Sequence, residues 1–330
     1  MIISRTPFRI SFFGGGTDYP VWYKENGGRV INASIDKYCF INLRELPPFF
    51  DYKYRLRYFI REEVNTLGQI QHPSIRECLR YLKINKHIDL VHHSDLPAQS
   101  GLGSSSTFTV GMLHAAYALI NKTPSKYQLA IEAIEIEQNL IGESVGSQDQ
   151  TIAAFGGLNR INFGGQRELT VTPLILQAEQ LKQFQDHLML FYTGLSRNAS
   201  DIAKEQINVT PSKSSELEAM IDLCKEAEKS LVESDIPIKE LGRLLNEQWK
   251  LKKSMSKLIT NTEIDHMYKK AIDAGAIGGK LLGAGGGGFL LFLVDPEKKQ
   301  LVKAALDGVL HVPFKFDFSG SQIVYYSNHF

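Results

Sequence analysis

Cysteine is scarce in this chain: three in 330 residues, Cys39, Cys78 and Cys224, with no Cys-x-x-Cys pair. That argues against a disulfide framework and a cysteine-based zinc site, and it fits a reducing compartment. An excess of one charge is also missing. Thirty-seven basic residues face 36 acidic ones, for a net charge of +1, so bulk electrostatics points to neither nucleic acid nor a membrane as partner. No stretch reaches the ~18 uninterrupted apolar residues of a membrane span. The start MIISRTPFRISFF lacks the basic n-region, long apolar run and cleavage site of a secretory signal. There is no internal repeat and no low-complexity tract. What remains is a composition of 43% hydrophobic and 22% charged residues, that of a soluble globular protein with one large or two ordinary domains. A cytoplasmic enzyme is the expectation.

Periodicity predicts strands at Ile2–Phe13, Arg29–Leu43, Tyr52–Phe59, His87–His93, Leu158–Phe163, Leu169–Val171, His187–Thr193 and Phe289–Val294, with short ones near Pro313–Phe318 and Gln322–Tyr326. Helices are expected at Ser105–Ile120, Ser125–Ile141 and Pro296–Leu306. Helical patterns also dominate Ala199 to Ala274, with breaks at Pro211 and Pro237. Strands and helices mix in both halves, so the fold class is α+β, with a boundary between residues 165 and 185.

Four segments carry chemistry. Asp95–Thr107, DLPAQSGLGSSST, runs from a glycine turn into three serines and then an apolar helix. Such a turn aims free N–H groups and the helix dipole at phosphate, and the hydroxyls can bind the phosphate or its metal. It is not a Walker loop, since it holds no lysine, and it does not fit the dinucleotide fingerprint. Arg5–Pro20, RTPFRISFFGGGTDYP, ends a strand in three glycines, where backbone can approach a ligand. Asp18 there suits sugar hydroxyls or a helix cap. In Ile131–Asp149, Glu137 turns into the apolar helical face. An inward carboxylate needs a partner, either a cation side chain or Mg²⁺, and Gly142 and Gly146 let Asp149 fold back toward the same place. Finally, Gly278–Gly288, GGKLLGAGGGG, crowds glycine before an apolar strand, which suits close packing against another loop or a ligand.

Together these segments resemble the GHMP kinase superfamily. Its three motifs appear in order as PFRISFFGGGTDY, LPAQSGLGSSS and KLLGAGGGG. The sugar branch is closest: EQNLIGESVGSQDQ places Glu137 twelve residues before Asp149, as galactokinases do. Gly15 and Gly16 stand where galactokinase has Glu-His, and the GGGTDYP form looks most like the bacterial D-glycero-D-manno-heptose 7-phosphate kinases. The resemblance implies a two-domain fold, cut here as 1–170 and 171–330, with the active site in the cleft between. It implies Asp149 as base or electrostatic partner of the attacking hydroxyl, with Arg9 orienting that hydroxyl. It implies Pro97, Gly101, Leu102, Gly103, Ser104, Ser105 and Ser106 around ATP, and Glu137 with Ser105 (or Ser104) on Mg²⁺. Gly15, Gly16, Thr17, Asp18 and Gly285 would face the substrate. Arg197, after an expected buried strand and before a helix, is nominated for a substrate phosphate.

The implied reaction is ATP-dependent phosphorylation of the anomeric hydroxyl of heptose 7-phosphate to the 1,7-bisphosphate, for surface-glycan synthesis. The partner expected is a small sugar phosphate, with a homodimer compatible. A fucokinase- or galactokinase-like enzyme and a non-catalytic sugar sensor on the same fold are the rival readings.

Overall fold

The computed structural model describes residues 1–165, 168–195, 199–233 and 236–327. Two sheets organise them. The strands of the first are β1 (Ile2–Phe13), β2 (Gly28–Glu45), β3 (Tyr54–Arg57), β4 (Arg61–Val64), β5 (Ile88–Ser94), β6 (Leu158–Phe163) and β7 (Leu169–Pro173). Those of the second are β8 (Leu188–Tyr192), β9 (Ala276–Leu281), β10 (Phe289–Val294) and β11 (Leu310–His311). The last strand, β12 (Gln322–Tyr326), returns to the first sheet and pairs antiparallel with β1. The first sheet therefore runs β12-β1-β2-β5-β3-β4, with β6 and β7 on the other half of β2, and the second runs β11-β8-β10-β9. A cut at residue 170 falls inside β7, and β12 lies on the N-terminal side of the fold although it closes the chain.

The interrupted strand β1 is the one that serves the site. Pro7 cannot donate to a ladder, and proline is tolerated within a sheet only at an edge or a bulge. Here the register with β2 slips between Pro7 and Phe8, just beyond the end of the β12 pairing. After the bulge, Arg9 and Ser11 lie on the face opposite Phe8, Ile10 and Phe12, and all five are buried.

The helices are α1 (Pro20–Asn26), α2 (Pro73–Tyr81), α3 (Ser104–Leu119), α4 (Lys126–Glu135), α5 (Gln148–Phe155), α6 (Ala178–Asp186), α7 (Ala199–Val209), α8 (Ser214–Val232), α9 (Ile238–Met255), α10 (Thr262–Asp273) and α11 (Lys299–Ala305). Helix α3 is apolar on nearly every side, and such a helix has to be enclosed; it lies across β1 and β2. Gly111 permits the approach, because a Cβ there would stand 2.9 Å from Thr6 Oγ1. One continuous apolar core joins both sheets, and Phe12 meets Phe184 and Phe316 at ring separations of 5.3 and 6.3 Å.

Several expectations need correction. The strand expected at Pro313–Phe318 is a loop with a single bridge, Phe316 to Ile35. Its backbone is satisfied instead by Asp36 and Ser34 across the irregular part of β2. The helix expected through Ile141 is regular only to Glu135; Ile136–Ile141 forms a π-turn, a local widening that often accompanies function. A third break, between Met255 and Thr262, adds to those near Pro211 and Pro237. Short helices α1, α2, α5 and α6 and strands β4, β9 and β11 have no counterpart in the sequence expectation.

Candidate active site

The four motif segments converge on one cavity of about 310 Å³. Its wall includes Arg9, Ser11, Gly15, Gly16 and Asp18 from the first segment, and Gln99, Gly101 and Gly103–Ser106 from the second. Glu143–Gly146, Gln148 and Asp149 come from the third, and Lys280, Gly283 and Ala284 from the fourth.

Arg9 and Asp149 form its centre. Arg9 Nε donates to Asp149 Oδ1 at 2.8 Å, and Arg9 Nη2 donates to Oδ2 at 2.6 Å. This two-point contact fixes the carboxylate plane. The third nitrogen, Nη1, donates to the Gly101 carbonyl at 2.7 Å, so the same guanidinium ties the carboxylate to the serine-rich loop. The Arg9 side chain is 4% exposed and that of Asp149 is 23% exposed; the carboxylate, not the arginine, is the accessible partner. Asp149 holds this place in the first turn of α5.

The loop that precedes α3 is shaped by backbone contact. Gly103 caps the helix with φ +80°, and a Cβ there would come within 3.2 Å of Asp149 Oδ2. A Cβ on Gly101 would stand 2.7 Å from the Leu282 carbonyl oxygen, and one on Gly283 would stand 2.6 Å from Gly101 Cα. The glycine-rich fourth segment is therefore packed backbone to backbone under the serine-rich loop, and a side chain on either face would part them.

Glu137 is fully buried behind the loop and does not itself line the cavity. It accepts hydrogen bonds from Ser106 Oγ at 2.7 Å and from the Gln150 amide, both on Oε2, while Oε1 has no hydrogen-bond partner. Burial, reinforced by the charge of Glu143, pushes its carboxyl up to about 7. The serine beside Glu137 is thus Ser106. Ser105 turns instead to Glu143, at 3.4 Å, whose carboxyl burial also raises. A bare buried oxygen with hydroxyls and a second carboxylate nearby suits a hard cation that keeps other ligands from water and phosphate. Among the described residues no cluster of three or more His, Cys, Asp or Glu side chains forms an all-protein metal cage.

Asp18 lines the cavity but is itself buried. Its Oδ1 accepts from Gly16 N at 3.0 Å, and its Oδ2 from Gln148 N at 3.3 Å. Burial raises its carboxyl above the usual range, partly offset by those N–H groups. Gly146 is needed for the approach, since a Cβ there would overlap Asp18 Oδ2 at 1.9 Å.

Other expected residues are placed differently. Thr17 does not line the cavity; its hydroxyl donates to the Gly14 carbonyl at 2.8 Å and it is fully buried. Gly285 packs against Ile259, leaving Gly283 and Ala284 in the wall. Leu102 is core, and Pro97 is exposed outside the wall. Arg197 lies outside the described residues. Residues not foreseen are Lys252, Lys280, Glu143, Gln148 and Tyr19, all lining the cavity. Elsewhere, Arg44 and Arg55 are engaged with Asp89, at 2.8 and 2.7 Å, as a strand-face ion pair.

Comparison with known proteins identifies a family. Residues 73–157 match the GHMP kinases N terminal domain and residues 228–311 match GHMP kinases C terminal. The chain is 35% identical, over 92% of each chain, to the D-glycero-alpha-D-manno-heptose 7-phosphate kinase of Campylobacter jejuni. Its fold superposes with a TM-score of 0.79 on a D-glycero-D-manno-heptose 1-phosphate kinase from Bacteroides thetaiotaomicron, at 25% identity over 99% of this chain and 100% of that one. A putative sugar kinase from Campylobacter jejuni superposes at 0.71, with 29% identity over 97% of each.

Proposed function

Since the chain belongs to the GHMP kinases and is a sugar kinase using ATP, we propose that it transfers the γ-phosphoryl group to the anomeric hydroxyl of D-glycero-D-manno-heptose 7-phosphate, giving the 1,7-bisphosphate. The observation that carries this reading is the Arg9–Asp149 pair standing beside the serine-rich loop in one cavity. The two heptose phosphate kinases among its relatives support the sugar. A role in supplying activated heptose for surface glycans follows from that product.

Phosphoryl transfer asks a protein mainly for in-line placement and for neutralised oxygen charge. In this reading the loop from Gly101 to Ser106 receives the ATP phosphates on N–H groups and hydroxyls at the start of α3. Asp149 takes the proton from the sugar hydroxyl as that oxygen bonds to the γ-phosphorus and the bond to the ADP oxygen breaks. Arg9 keeps the carboxylate turned toward the hydroxyl. Asp18, Gly15 and Gly16 line the sugar side. Glu137 would hold Mg²⁺ together with a loop hydroxyl, Ser105 as the family resemblance implies or Ser106 as its contact with Glu137 favours. The ion would supply charge neutralisation on the phosphates.

The remaining parts of the reading are a catalytic cleft between an N-terminal unit to about residue 170 and a C-terminal unit beyond, a cytoplasmic location, and a homodimer that light scattering can check. Three buried free thiols suit the cytoplasm. No helix among the described residues is long and apolar enough to cross a membrane. The test is ADP release with heptose 7-phosphate, unphosphorylated heptose, galactose and fucose, with ³¹P NMR of the product. A new anomeric phosphate on heptose 7-phosphate is expected, and preference for an unphosphorylated hexose would overturn the substrate.

A further inference from the structure

Two cations in the cavity wall have no part in the transfer just described. Lys252 comes from α9 and Lys280 from β9, and they are only 6% and 4% exposed. Their hydrogen bonds go to neutral acceptors. Lys252 Nζ donates to Gln206 Oε1 at 2.5 Å, and the Gln206 amide is itself anchored on the Ala284 carbonyl at 2.7 Å. Lys280 Nζ donates to the Ser11 and Phe12 carbonyls at 3.0 and 3.1 Å. Burial pushes the ammonium of Lys252 down to about 8 and that of Lys280 to about 7; the neighbouring charges of Lys252 and Arg9 add to the effect on Lys280, and the carboxylate of Asp18 only partly offsets the loss at both.

Among the described residues, the other charged groups argued to face the sugar already have partners. Arg9 is held by Asp149, and both oxygens of Asp18 are occupied by backbone N–H groups. Buried charge is retained at a cost unless it finds a counter-ion. A pure fastener between β1 and the second sheet would gain the same hydrogen bonds from a neutral amide, without that cost. An ammonium has three donors. Lys252 uses one and Lys280 two in the contacts above, so with both protonated, the form a bound phosphate favours, three N–H groups remain for the three terminal oxygens of a phosphate monoester. Gly16 presents no side chain to Lys252: a Cβ there would stand 3.7 Å from Lys252 Nζ and 3.6 Å from Leu217 Cδ2.

We propose that Lys252 and Lys280 form the subsite for the phosphate already carried by the sugar, an inference that rests on the sugar-phosphate reading above. The test is calorimetric titration of the full chain, and of its Lys252→Met, Lys280→Met and Lys280→Arg variants, with heptose 7-phosphate and with unphosphorylated heptose. Each Met variant should lower the affinity ratio of phosphorylated to free sugar by about tenfold or more, and Lys280→Arg should keep more of it than Lys280→Met. A wild type that prefers the phosphorylated sugar, with variants that leave the ratio unchanged, overturns the lysine assignment alone. A wild type indifferent to the phosphate overturns the substrate reading and this subsite with it. If a Met variant does not fold, inorganic phosphate is titrated into the wild-type assay. It should compete with heptose 7-phosphate and not with ATP; competition with ATP only, or with neither, overturns the subsite.

Discussion

Glu137→Gln should make the protein more stable at pH 8 when metal and nucleotide are absent. The wild-type carboxyl is fully enclosed, and burial moves it from an ordinary 4.5 to about 7. A carboxyl raised in the folded state favours folding below its unfolded value and loses that contribution as pH climbs through the folded value. The loss accrues at about 1.4 kcal/mol per pH unit, or roughly 3 kcal/mol in all between pH 4.5 and 7. Glutamine has nearly the same shape and can still meet Ser106 and Gln150, but it carries no charge to desolvate. The stability gap between variant and wild type should therefore open from pH 5 to pH 7 and level off above, with a rise in melting temperature on the order of 4 °C at pH 8. Thermal melts from pH 5 to 8.5 read this directly. The same series with Mg²⁺ and a nonhydrolysable nucleotide should stabilise wild type more at pH 8 than at pH 6, because an ion held by Glu137, as proposed, requires the deprotonated carboxylate. The variant should show less of that pH dependence. A variant that melts at or below wild type at pH 8, or a gap that is flat with pH, would refute the reasoning.

Two further substitutions separate chemistry from binding. Asp149→Asn keeps the shape beside Arg9 but removes the proposed proton acceptor, so kcat should fall by roughly 100-fold or more while nucleotide affinity stays within about threefold; near-normal turnover would remove Asp149 from the mechanism. Gly103→Ala forces a side chain to within 3.2 Å of Asp149 Oδ2 and 3.3 Å of Arg9 Cγ at a residue with φ +80°. It should cost about 1 kcal/mol in a urea titration and lower kcat well beyond what that loss explains, and unchanged kcat would show that the pair tolerates displacement.

Much of the site was legible because its parts are short and local. A glycine turn followed by serines, or an acid on the wrong face of a helix, can be read within a dozen residues. The register between such parts cannot. Arg9 and Asp149 lie 140 residues apart, and only a family resemblance linked their roles. Neighbouring serines in a helix point about 100° apart, so one residue of error at the start of α3 exchanges the partners of Ser105 and Ser106. The π-turn at Ile136–Ile141 and the loop around Phe316 answer to tertiary contacts, which local propensity does not record.

Lys252 marks a different omission, because the information was present. Along α9 the buried residues include Leu241, Leu244, Leu245, Gln248, Trp249, Lys252 and Met255. Spacings of three and four put Lys252 on the apolar face, although Lys250 and Lys253 beside it make it look like part of a solvated basic run. The reasoning that singled out Glu137 applies unchanged: a charge on the inward face of an amphipathic helix has left water, and folding alone gives no reason to keep it there. The two inward charges have opposite sign and come from separate halves of the chain. Lys252 reaches the cavity wall directly and Glu137 stands behind it through Ser106. If both substrates are anionic, as proposed, an inward acid suits a cation accompanying one phosphate group, and inward lysines suit the other phosphate itself.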